Sequence, residues 1–186
     1  MAHWFTADTH FGHTRIVNAT FNTPRLAFAS IEEHDEALVA NWNATVGPDD
    51  TVWHLGDFSY RCHPRREKAL FDRLAGVKHL VRGNHDKGAA SLPWASVRDV
   101  GQIVIDGVGI WLSHYSHRTW PRLHRGDLHL YGHSHGTLPG DSRSLDVGVD
   151  CWGYQPVSLA AIRKRMALSD TVPEELAPAR RQEQSP

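Results

Sequence analysis

Val77-Lys78-His79-Leu80-Val81-Arg82-Gly83-Asn84-His85-Asp86 is a short apolar run that ends abruptly in four turn-compatible polar residues. Val77 to Val81 reads as a strand, and no short-loop requirement calls for a histidine directly after Gly83-Asn84. The same arrangement recurs along the chain. His3 to Ala7 reads as a strand ending at Asp8-Thr9-His10, and Thr51 to Leu55 as one ending at Gly56-Asp57. Ile103-Val104-Ile105 and Ile110-Trp111-Leu112 form a hairpin about Asp106-Gly107 that ends at Ser113-His114. Leu128 to Tyr131 ends at Gly132-His133-Ser134-His135, and Leu145 to Val149 is a further strand. Each polar motif thus follows the carboxyl end of a strand. In open α/β sheets that edge is where loops from several strands converge and where ligands bind.

Helical stretches separate the strands. Over residues 31–46, Ile31, Asp35, Leu38, Val39, Trp42 and Val46 fall largely on one face; Ser30 with Glu33 makes a capping-box start and Gly47-Pro48 a stop. Pro64 suits the first turn of a second helix that ends before Gly76, and a last helix covers Leu159 to Leu168. The alternation is that of an α/β protein. At 186 residues, with no internal repeat, it reads as a single domain over residues 1–169. From Asp170 the chain carries Pro, Glu, Arg and Gln with few large apolar residues, so residues 170–186 read as a flexible tail.

A formal net charge of -1 gives no global basic field that would advertise nucleic acid. Two local clusters remain open to that reading: Arg61, Arg65, Arg66 and Lys68, better read as a solvated helix face, and the stretch from His117 to Arg125, either a substrate wall or a solvated loop anchored by Trp120. Cys62 and Cys151 form no Cys-x-x-Cys pair, which argues against a disulfide framework or a thiolate zinc site and for a reducing compartment. No apolar run reaches the length of a bilayer span, and the motif at Asp8 leaves no room for a signal peptide, so a cytoplasmic protein without a membrane partner is expected.

Histidine is the outlier at fourteen residues, five of them inside the motifs. Carboxylate oxygen, amide oxygen and imidazole nitrogen together suit Mn, Fe, Co, Ni or Zn, and the motifs hold enough of them to surround two such ions. A pair of divalent cations is a recurring device for cleaving phosphate esters. The order Asp-x-His, Gly-Asp, Gly-Asn-His-Asp, His and Gly-His-x-His resembles that of the calcineurin-like metallophosphoesterase superfamily, from Asp8 to His135. Thr9-His10-Phe11-Gly12-His13 and Val52-Trp53-His54-Leu55-Gly56-Asp57 resemble its small stand-alone bacterial and phage members.

The resemblance implies a four-layer αββα sandwich, two mixed β-sheets flanked by helices, with two divalent ions at the sheet edge. Manganese is the first expectation, with Fe, Zn, Co or Ni as alternatives. By the same resemblance Asp8, His10, Asp57 and His135 hold one ion, and Asp57, Asn84, His114 and His133 hold the other, with Asp57 bridging. His85 faces the scissile phosphate and Asp86 orients it. One departure is that Phe58-Ser59-Tyr60 stand where an acidic residue often follows Gly-Asp.

The activity so implied is a phosphoesterase acting through a metal-bridging hydroxide. Phosphodiesters are favoured because the chain is too short for a large capping domain. A phosphomonoesterase of small molecules or nucleotides is the nearest alternative; an interaction scaffold on the same fold and a protein phosphatase are others. The substrate is a phosphate ester, with nucleotides and nucleic acid both open. His13, Arg82 and Arg118 are candidate substrate contacts, each weighed against a packing or salt-bridge role. His54 carries the same two readings, and Asp146 and Asp150, flanking a Gly-containing strand, are left open as supports of the site.

Overall fold

The computed structural model describes residues 1–19 and 25–177. Four parallel strands, β1 (His3–Thr6), β2 (Thr51–His54), β3 (Val77–Val81) and β4 (Ser96–Arg98), build one sheet in the order β4-β3-β2-β1. The second sheet follows in the chain: β5 (Val100–Ile105) and β6 (Val108–Ser113) pair antiparallel, and β7 (Leu128–Tyr131) and β8 (Ser144–Asp146) continue parallel. β9 (Val157–Ser158) returns to the first sheet, antiparallel to β1. Both sheets are therefore mixed, as expected, and helices flank them.

The first sheet is buried on both faces, so its strands carry apolar residues at successive positions. Phe5, Trp53, Leu55 and Val81 point into the space between the sheets, against Ile110, Leu112, Leu128 and Leu130. Val52 and Leu80 point the other way, against Leu38, Val39 and Trp42 of α1 (Ile31–Thr45) and Leu70 and Phe71 of α2 (Pro64–Arg73). Side chains as completely enclosed as Phe5, Leu55, Ile110 and Leu112 contribute about 1.5–3 kcal/mol each. α1 starts where Ser30 Oγ accepts from Glu33 N at 3.1 Å, while the Glu33 carboxylate accepts from Ala29 N at 2.7 Å.

The outer face of the second sheet has a different cover. α3 (Leu159–Met166) turns Leu159, Ile162 and Met166 into the inter-sheet core. Residues 116–126, with a 3-10 turn at Leu123–Arg125 and Trp120 and Leu123 buried, lie over the outer face instead. That face is polar. His129 lies between the hydroxyls of Ser113 (2.8 Å) and Ser144 (2.9 Å), with the Trp120 ring 5.1 Å from its own.

Several boundaries shift. The strand expected over residues 145–149 is Ser144–Asp146 followed by a 3-10 turn at Val149–Cys151, and the last helix stops at Met166. β4 and β9 went unread because one is a three-residue, largely exposed edge strand and the other only two residues long. Within the expected tail, a 3-10 turn at Glu174–Leu176 meets the 116–126 segment through Arg118 Nε and Glu174 Oε2 at 2.6 Å. Residues 178–186 lie outside the described residues. No helix among the described residues is long and apolar enough to cross a membrane.

Candidate metal centre

The polar motifs meet at one end of the sandwich because the strands that carry them are parallel and in register. Past the strand ends the chain stays zipped: Asp8 N donates to Gly56 O (2.9 Å), His10 N to Asp57 O (3.0 Å), and Gly132 N to His114 O (3.0 Å). The approach is too close for side chains. A Cβ on Gly56, whose φ is +97°, would stand 2.5 Å from His114 Nδ1, and one on Gly132 would stand 2.5 Å from the Ala7 Cβ. Asp8, His10, Asp57, His133 and His135 all take left-handed backbone, with φ of 57°, 48°, 57°, 66° and 48°. Each such residue costs about 1–3 kcal/mol, and strain of this kind concentrates at functional sites.

Two clusters of ligand atoms result, each with its atoms within 4.8 Å of one another: Asp8, His10 and His135, and Asp57, His114 and His133. Asp57 faces both. Its Oδ2 lies 3.7 Å from His10 Nε2 and its Oδ1 3.6 Å from His114 Nε2. The Asn84 amide oxygen is 3.1 Å from the same His114 nitrogen and accepts from the Tyr115 hydroxyl at 3.2 Å. His114 Nδ1 sits 2.8 Å from the Leu55 carbonyl, so that nitrogen carries the proton and Nε2 is left with a lone pair for the pocket.

The residues fit divalent cations. Asp8 Oδ1 and both ring nitrogens of His10 are buried without a hydrogen-bond partner among the described residues. A buried polar group left unsatisfied costs about 1–3 kcal/mol, and several in one place are the mark of an ion the fold is built to receive. Burial, reinforced by Asp146, Asp57 and Asp150, pushes the Asp8 carboxyl well above the usual carboxylate range. Burial and the Arg25 charge hold the His10 ring well below the usual histidine range. A bound cation reverses that balance for the carboxylate.

No protein-family model matches the chain. The "Gene 66 protein" of Mycobacterium phage L5 is 31% identical over 185 residues, covering 81% of this chain and 87% of that protein. The uncharacterized protein MJ1445 of Methanocaldococcus jannaschii is 28% identical, covering 87% of this chain and 89% of that one. Among solved structures, the protein of unknown function AQ665 from Aquifex aeolicus superposes with a TM-score of 0.69 at 25% identity, over 88% of this chain and 98% of that one. This chain belongs to the family of that phage protein. Its strand-end motifs converge on one edge of a double mixed sheet.

One expected role does not survive the geometry. Asp86 does not orient the His85 ring. Its carboxylate accepts from three backbone amides, those of Asp57 (2.8 Å), Phe58 (2.8 Å) and Gly83 (2.7 Å), which ties the second motif to the third. His85 is held otherwise: its amide donates to Asp57 Oδ1 at 2.9 Å, and its ring meets the Tyr60 ring at 4.3 Å between centroids. His85 Nε2 is 3.8 Å from Asp57 Oδ2, and a third of the side chain is exposed.

Behind the first cluster stands a support in which Asp150, left open in the sequence, is joined by Arg25, which no motif marks. Arg25, 1% exposed, donates to the Asp8 and Thr9 carbonyls at 2.6 and 3.1 Å and reaches both oxygens of Asp150 at 2.8 and 2.7 Å. Asp150 in turn lies 2.8 Å from His135 Nδ1, which fixes the ring's other nitrogen toward the cluster. Burial raises the Asp150 carboxyl, but the bonds from His135 and Arg25 outweigh it and hold that group well below the usual range. Asp146 accepts from Ser134 Oγ and from the amides of Gly136 and Gly148, bracing the last motif. Nothing in local sequence marks a lone arginine as the partner of residues 125 positions away.

A pocket of about 530 Å³ opens over both clusters, with His85, Tyr60, His13, Arg15 and Arg61 in its walls. His13 lines the pocket, its ring 5.4 Å from that of His10; burial, then the His85 and Arg25 charges, brings it down to about 4. Arg82 and Arg118 are not in the walls. Arg82 pairs with Asp99 at 2.7 Å and Arg118 with Glu174, so both are spent on surface ion pairs. His54 is a packed core residue, bonded to Thr9 Oγ1 at 3.0 Å and set among Trp42, Phe58 and Trp94.

Proposed function

We propose that the chain is a dinuclear metal-dependent phosphoesterase with a preference for phosphodiesters. The observation that carries this reading is the position of Asp57, one carboxylate oxygen toward each of two clusters of buried, ligand-type atoms. Asp8, His10, Asp57 and His135 would hold one ion, and Asp57, Asn84, His114 and His133 the other, manganese being the first choice for this mixed oxygen and nitrogen set. Bound there, the two ions supply a nucleophile from water near neutral pH and neutralise charge on the phosphate oxygens.

The protein's own groups do the rest. The pinned backbones of Asp8, Asp57 and His133 hold the ligands at fixed spacing, so little reorganisation accompanies reaction. His85 stands over the pocket and delivers a proton to the departing oxygen. His13, neutral near pH 7, lines the wall beside it without competing as a cation. The pocket is open, which suits an ester substituted on both sides of phosphorus. Retention of all seven candidate ligands argues against a scaffold with a decayed centre. The free thiols Cys62 and Cys151, both raised chiefly by burial, fit a reducing, cytoplasmic setting.

The test is metal analysis combined with hydrolysis of bis-p-nitrophenyl phosphate. Two manganese ions per chain and release of nitrophenolate that stops on chelation are expected. A single ion per chain, or hydrolysis indifferent to chelator, overturns the reading, and faster turnover of p-nitrophenyl phosphate replaces the diester preference with a monoester one.

A further inference from the structure

The loops that follow β1 and β2 stay paired beyond the ligand residues. Phe11 N donates to Phe58 O at 2.9 Å and Tyr60 N to Phe11 O at 3.2 Å, with Phe11 and Ser59 bridged in parallel. The same two loops bring Arg15, four residues past Phe11, and Arg61, directly after Tyr60, into the walls of one pocket. The Arg61 guanidinium lies 5.3 Å from the centre of the Tyr60 ring, whose edge contacts reach His85 at 4.3 Å and His13 at 4.6 Å. Arg15 adds its charge beside His13. Among the described residues, neither guanidinium is within ion-pair distance of a carboxylate, which is equally true of Arg65, Arg98, Arg125, Arg143, Arg163 and Arg165; Arg15 and Arg61 differ from these in lining the pocket over the ligand clusters.

An arginine fork is matched to a phosphate, to which it can donate two parallel N–H bonds. The scissile phosphate belongs with the ligand clusters and His85. Arg61 is set one aromatic ring outward from His85, so it faces a different part of the substrate. We propose that Arg15 and Arg61 bind a second phosphate group of the substrate, next to the one that is cleaved. The substrate class is then a phosphodiester bearing a further phosphate, as in a nucleotide chain, rather than a singly charged diester. This inference rests on the phosphoesterase reading and deepens it.

Two chromogenic esters separate the two claims: thymidine 5′-(p-nitrophenyl phosphate) and the same compound with a 3′-phosphate. Wild type is expected to prefer the 3′-phosphorylated ester by roughly tenfold or more in kcat/KM, through KM, as charge-assisted hydrogen bonds to one phosphate allow. The preference should shrink as salt is added. The double variant Arg15→Gln, Arg61→Gln should lose it, and Arg15→Lys, Arg61→Lys should recover part of it. Arg125→Gln, on an exposed turn outside the pocket, removes a surface charge elsewhere and should keep it.

Equal kcat/KM for the two esters in wild type, survival of the preference in the double glutamine variant, or its loss in Arg125→Gln overturns the inference. If neither ester is hydrolysed, the phosphoesterase reading falls separately. Calorimetric binding of thymidine 3′,5′-bisphosphate then still reads the arginine pair: wild type should bind roughly tenfold tighter than the double variant, and equal affinity sinks the proposal.

Discussion

His10 and His129 are both buried histidines, and they lie on opposite sides of the second question a structure asks of such a residue: where do its nitrogens go? His129 has a serine hydroxyl at each nitrogen, on a strand interior, under Trp120. His10 has none at either, on left-handed backbone, among carboxylates. Burial pushes both rings toward neutrality, so the titration behaviour of the two is alike. Between these two, the hydrogen-bond account and not the depth makes the difference. The outer face of the second sheet is closed; the edge of the sandwich is open to receive something.

Substitutions that exchange these characters test the contrast. The largest effect is expected for Asp57→Asn, which should weaken both ions together, because one carboxylate faces both clusters; loss of a single ion in metal analysis would break the bridging assignment. His85→Ala should retain both ions and lower turnover of a chromogenic diester by about 10²–10⁴-fold, the usual share of a proton donor; activity near wild type would remove His85 from the chemistry. Asp150→Asn should loosen one ion by about 10–100-fold and spare the other, since the groups it braces, His135 directly and the Asp8 backbone through Arg25, belong to one cluster. Titrating manganese against the two variants distinguishes these cases.

The smallest effect belongs to the closed face. His129→Leu should leave metal content unchanged and cost about 1–3 kcal/mol in urea unfolding, because Ser113 and Ser144 lose a partner. It should also flatten the acid limb. Burial, with His117 nearby, lowers His129 from 6.5 to about 3, so between those values the unfolded chain takes up a proton that the folded chain does not. Stability is therefore whole above about pH 6.5 and declines as pH falls toward 3, and the variant should show a shallower decline by close to one proton. An unchanged slope would mean that His129 is already charged in the folded protein.

Much of the centre was readable because its residues sit in short motifs at strand ends. Asp8, His10, Asp57, Asn84, His114, His133 and His135 all arrive at one edge. Adjacency in the chain says less about what a side chain meets. Asp86 follows His85 in the chain, which suggested that it served its neighbour, but a carboxylate goes to the nearest unsatisfied donors, and those were amides of another loop. Arg82 and Arg118 stood open between a substrate contact and a salt bridge, and each lies beside an acidic residue from elsewhere. Arg15 and Arg61 carried no such mark and reached the pocket because two loops run side by side.

Short apolar runs, strand-end turns and the inventory of donor atoms are local properties, so the alternation of strands with helices, the α/β class and the set of ligand-type side chains could be written down from the order of residues alone. Which oxygen of Asp57 faces which cluster, the clamp of Asp86, the way Arg25 joins Asp150 and His135, and the meeting of Arg15 and Arg61 in one pocket could not. Those depend on contacts between segments far apart in the chain, and such contacts exist only once packing has brought β1, β2, β3, β6 and β7 to a common edge.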